Sequence, residues 1–124
     1  MTRSAKVNVF FGDGKHDFQL DIPRLEELQE KVDLGPEALA RAIASGNWRA
    51  EHLRETIRLG LIGAGMEPEA AFKLVERYAG AGYLSGCKSV AYEILMAAMA
   101  GAPDGDGKGG VKSRKRTGGQ TPRV

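Results

Sequence analysis

The hydrophobic pattern changes period once along the chain. Val7, Val9 and Phe11 alternate with Asn8 and Phe10, Gly12-Asp13-Gly14 interrupts, and His16, Phe18 and Leu20 then alternate with Asp17 and Gln19. A period of two on either side of a glycine-rich break predicts a β-hairpin, because glycine accepts the positive φ that a tight hairpin turn requires. A two-stranded ribbon is marginal in water, so its Phe-bearing face is expected to rest on other elements.

From residue 21 onward the spacing is helical. Asp21 as N-cap and Pro23 in the first turn open a helix with Leu25, Leu28 and Val32 on one stripe and Glu26, Glu27, Glu30 and Lys31 on the other. Leu34-Gly35-Pro36 ends it, and Pro36 opens a second helix with Leu39, Ala40 and Ile43 inward and a stop at Ser45-Gly46-Asn47. A third, from about Ala50 to Ile62, places Leu53, Ile57 and Leu61 inward, with Glu51, Arg54, Glu55 and Arg58 outward, before Gly63-Ala64-Gly65. A fourth starts near Glu67-Pro68 and turns Ala71, Phe72, Val75 and Tyr78 to one face. The fifth is expected to be capped by Ser89 and carries Val90, Ile94, Ala97 and Ala98, with Leu95, Met96 and Met99 beside them. That band is wider than one core contact requires and predicts a second apolar surface. The fold class is therefore mainly α (α+β): an N-terminal hairpin on about five short helices, in a single domain over residues 6–100.

Composition sharpens the ends. The 124 residues carry 18 Lys+Arg against 16 Asp+Glu. Residues 101–124 hold Lys108, Lys112, Arg114, Lys115, Arg116 and Arg123 against only Asp104 and Asp106. The net charge of +2 therefore divides into +4 for this tail and −2 for the first 100 residues. Gly-rich and basic, the tail is predicted to be disordered, and residues 1–5 to be a flexible lead-in. No apolar run reaches membrane-spanning or secretory length, and the lone Cys87 suits a reducing compartment, so a cytoplasmic protein without membrane contact is expected.

Candidate chemistry is thin. Leu59-Gly60-Leu61-Ile62-Gly63-Ala64-Gly65-Met66 looks at first like a dinucleotide-binding turn, yet it lacks the G-x-G-x-x-G order and runs into Pro68. His16 and His52 have no second His or Cys at helical spacing to hold a metal, and Cys87 has no neighbouring His. No catalytic residue, cofactor or metal is expected, and the protein is read as a non-enzyme. The segment Lys112-Ser113-Arg114-Lys115-Arg116 could neutralise phosphates, and the second and third helices could pass for a helix-turn-helix. Mixed charges on that third helix and an acidic domain argue against it, so a DNA-binding module is the weaker alternative. Trp48, the sole tryptophan, reads either as a staple at the start of the third helix or as an interface anchor.

Taken together, Val9-Phe10-Phe11-Gly12-Asp13-Gly14, Leu25-Glu26-Glu27-Leu28-Gln29-Glu30-Lys31, Gly46-Asn47-Trp48-Arg49, Ile57 to Met66 and Ile94-Leu95-Met96-Ala97-Ala98 resemble a small tail protein family of gene transfer agents and related prophages, encoded between the major tail protein and the tape-measure protein. The likeness spans about residues 7–99 and leaves out the tail. It implies a tail assembly chaperone that coats hydrophobic helices of the tape-measure protein. Relatives have also been labelled tail tube proteins, which implies a structural, virion-associated component instead. The expected partners are the tape-measure protein and the tail tube protein, with self-association a further option. The expected partner-binding residues are Trp48, Leu61, Met66, Leu95, Met96 and Met99, the methionines suiting a surface that adapts to varied clients.

Overall fold

A computed structural model describes residues 3–103. The hairpin is formed by β2 (Lys6–Phe11) and β3 (Gly14–Gln19), paired antiparallel with Val7 opposite Phe18, Val9 opposite His16 and Phe11 opposite Gly14. Only Gly12 of the two loop residues has positive φ (69°), which is the requirement of a type II′ turn with glycine first. Asp13 accepts from or shares a proton with His16 Nε2 at 2.8 Å, tying the loop to the strand. One face of the ribbon, Val7, Val9, Phe11 and Phe18, turns inward. The other carries Lys6, Asn8 and Phe10, and Asn8 Nδ2 donates to Asp17 Oδ1 across the strands at 2.8 Å.

Five helices follow: α1 (Ile22–Val32), α2 (Pro36–Ser45), α3 (Ala50–Gly63), α4 (Pro68–Tyr78) and α5 (Lys88–Ala100). The expected starts at Asp21 and Pro36 stand. Asp21 Oδ1 accepts from Arg24 N, and Pro36 fills the first turn of α2, which ends on the left-handed Gly46. Ser89 does not cap α5. A 3-10 turn, Leu84–Cys87, feeds directly into that helix, so Ser89 falls inside its first turn and Cys87 takes the N-cap position.

At the centre lies α3, with β3, α1, α4 and α5 all packed on it. Seven of its side chains or Cα positions, from His52 to Leu61, are buried, which explains why its charged residues do not simply face water as expected. Arg54 is half-buried, donates to Ala79 O at 2.8 Å and pairs with Glu76, satisfying a carbonyl at the end of α4. Arg58 and Glu55 form a partly buried pair at 2.6 Å, which raises the Arg58 pKa. Phe72 departs from its expected inward position and is exposed, because the short α4 packs mainly on α3 and needs only Ala71 and Val75 there.

The glycines of the suspected nucleotide motif have a packing role. A Cβ on Gly63 would lie 1.9 Å from Gln19 O, and one on Gly60 would lie 3.3 Å from both Phe18 Cδ2 and Ile94 Cγ2. Spaced three apart, these two positions share a helix face and let β3 lie against the α3 backbone. Gly63 is therefore the last residue of the helix and a contact point, while the turn beyond it falls to Gly65 at φ 113°.

The ordered unit is longer than expected at both ends. β1 (Arg3–Ser4) pairs antiparallel with β4 (Ala102–Pro103), a backbone ladder that hydrophobic patterning cannot announce. These short strands fall within the stretches read as a flexible lead-in (residues 1–5) and a disordered tail (residues 101–124), and the expectations for residues 1–2 and 104–124 lie outside the described residues.

His52 gives the first prediction. Its side chain is buried at the third position of α3, where Nδ1 accepts the Arg49 N–H at 3.0 Å. Burial, helped by the positive charge of Arg49, lowers its pKa. Between the folded and unfolded values the unfolded chain binds more protons, so this contribution to stability is complete above about pH 6.5 and is lost as pH falls through the folded value. In urea unfolding at pH 7.5 and pH 5, the wild type should lose more stability on acidification than His52→Gln, whose amide oxygen keeps the cap without titrating. Equal losses would remove His52 as the cause.

Candidate partner-binding surface

The six residues expected to bind a partner do not form one patch. Leu61 and Leu95 are core residues, 1% and 0% exposed. Leu61 is enclosed because α3 has neighbours on most sides, and Leu95 because α5 packs on α2 and β2 as well as on α3. The protein's own elements account for most of the wide apolar band on α5. Trp48 is half-buried against the core just before α3, which fits the staple reading, and Met66 is half-buried just beyond its end. A helix of that length separates them by about 20 Å. Only Met96 and Met99 share a face and are open to solvent, at 37% and 38%.

A residue missed from the sequence completes that face. Tyr92 is 37% exposed and stands at i, i+4, i+7 with Met96 and Met99, on one stripe of α5. The spacing is legible in the sequence, but periodicity alone does not report which positions on the helix meet water. At the N-terminal end of the stripe Tyr92 borders an open depression of about 320 Å³, lined also by Ile43 and Ala44 of α2 and by Lys88 and Ser89. The result is a shallow trough between α2 and α5 with a mostly apolar lining. Exposed apolar stripes of this kind on a small domain mark contact surfaces.

Cys87 is buried, its thiol directed at Tyr78 O and Tyr83 O, and burial pushes its pKa up, so the nucleophilic thiolate is disfavoured. Among the described residues no group of three His, Cys, Asp or Glu side chains could hold a metal ion, and no helix is long and apolar enough to cross a membrane. On the partly exposed face of α3, Arg54 is paired with Glu76 and Arg58 with Glu55, so both guanidiniums already face carboxylates of the protein itself.

Residues 4–101 match the family described as phage tail tube protein, GTA-gp10. The chain belongs to this family. The matched segment contains the hairpin, all five helices and the α2–α5 trough. No curated protein and no solved structure matches this GTA-gp10 family member.

Proposed function

We propose that this protein works without catalysis in the cytoplasm, as a tail assembly factor that holds an apolar helix of another tail protein, the tape-measure protein, along α5. The observation behind this reading is the stripe of Tyr92, Met96 and Met99 beside the α2–α5 depression. An amphipathic helix laid into such a trough buries its apolar face with anchors at i, i+3, i+4 and i+7. Methionine thioethers adapt to differing side chains, which suits a client with many similar helices.

Co-expression with a tape-measure fragment should keep that fragment soluble and yield a complex. An insoluble fragment and no recovered complex would remove the main support for this role. The family description favours a second reading, a structural component of the tail tube. Mass spectrometry of purified particles separates the two, with many copies per particle for a tube component and almost none for an assembly factor.

A further inference from the structure

The hairpin leaves one of its edges open in a way that suits a copy of itself. β2 pairs only with β3. With a two-residue loop, the closing pair Phe11 and Gly14 exchanges backbone bonds, as do Val9 with His16 and Val7 with Phe18. The backbone groups of Lys6, Asn8 and Phe10 therefore point away from β3. Lys6 N–H is taken by Ser4 Oγ at 3.0 Å, and no other described group bonds the N–H of Asn8 or Phe10. All three residues are exposed, Phe10 at 63%.

Edges of this type are normally blunted by charge, proline, a bulge or a covering element. The β3 edge has such protection: Lys15 and Asp17 lie along it, and Gln19 O is pressed against Gly63 of α3. In β2 the sequence Lys-Val-Asn-Val-Phe-Phe has one charge, no proline and no bulge.

We propose that β2 pairs antiparallel with β2 of a second copy, about a two-fold axis through Asn8, to make a continuous four-stranded sheet. This register brings all three outward-pointing residues of each strand into the ladder, and it allows about four new backbone hydrogen bonds without disturbing Lys6 and Ser4. It is also electrostatically complementary. Lys6 of one copy lies opposite Phe10 of the other, where an ammonium meets an aromatic face, and neutral Asn8 meets itself. The two Lys6 charges stay about 13 Å apart along the strands. A strand edge about 20 Å long and roughly 10 Å deep offers on the order of 200 Å², less than the roughly 800 Å² per partner of a stable interface, so the pair is a weak, concentration-dependent one. It uses a different element from the α5 trough and does not depend on the client reading.

Sedimentation equilibrium of the full chain from micromolar to millimolar concentration tests this. The wild type should move from monomer to dimer mass. Asn8→Pro, which removes an N–H that β3 does not use, and Asn8→Lys, which puts two ammoniums on the axis, should each weaken the dimer at least tenfold while circular dichroism and melting show a folded monomer. An equimolar mixture of Asn8→Lys and Asn8→Glu proteins should recover dimer mass. A wild type that stays monomeric throughout, or a dimer that neither substitution weakens, overturns the proposal. The first result would leave the edge to a strand from some other protein, and the second would place self-contact elsewhere.

Discussion

Replacing Gly63 with alanine should lower the melting temperature by about 12–24 °C, from a single methyl group. The added Cβ would sit 1.9 Å from Gln19 O, a backbone atom at the end of β3 that cannot rotate away as a side chain could. Either α3 or the hairpin must shift, and both belong to the same contact between Gly60, Phe18 and Ile94. Overpacking of a well-filled core ordinarily destabilises by 1–3 kcal/mol, and a clash against main chain belongs at about 3 kcal/mol. For a folded unit of this size each 1 kcal/mol moves the midpoint by roughly 4–8 °C. Gly86→Ala is the matched control, since its Cβ would meet nothing within 4 Å. Calorimetry that finds the two variants equally stable would show that the α3–β3 approach is looser than described.

Adjacent residues on α5 should separate stability from binding. Leu95→Ala removes a fully buried side chain and leaves a cavity between α5 and its neighbours, with an expected loss of about 2–5 kcal/mol. Met96→Glu changes an exposed position, and surface changes of that sort stay within about 0.5 kcal/mol. For capture of a tape-measure fragment the order reverses. Met96→Glu and Met99→Glu each place a carboxylate against an apolar helix and should weaken the complex by at least tenfold, about 1.4 kcal/mol. Leu95→Ala, assayed at a temperature where it remains folded, should bind nearly as well as the wild type. Undiminished binding by a folded Met96→Glu, Met99→Glu double variant would sink the α5 trough as the client site.

The sequence made the elements legible because their signals are local. Asp21, Pro23 and Pro36 announce helix starts through backbone chemistry that neighbours do not alter. The alternation around Gly12-Asp13-Gly14 implied a hairpin and its inward face, since a one-residue slip would turn Phe18 out to water. Family resemblance, carried by the stretch from Trp48 to Met66, pointed to a tail protein, and the match over residues 4–101 supports that level of description.

Only the tertiary structure decided which apolar residues are available. Periodicity reports that Leu95, Met96 and Met99 lie near one another on a helix, but whether each meets water depends on which neighbours the helix has, and α5 packs on α2, α3 and both strands of the hairpin. The same reason sends Leu61 into the core and Phe72 out of it: α3 is surrounded and α4 is not. Close approach is likewise a property of pairs of elements. Gly63 reads as a helix stop in one dimension, and with Gly60 it becomes the seat of a strand only when β3 arrives from more than forty residues earlier in the chain.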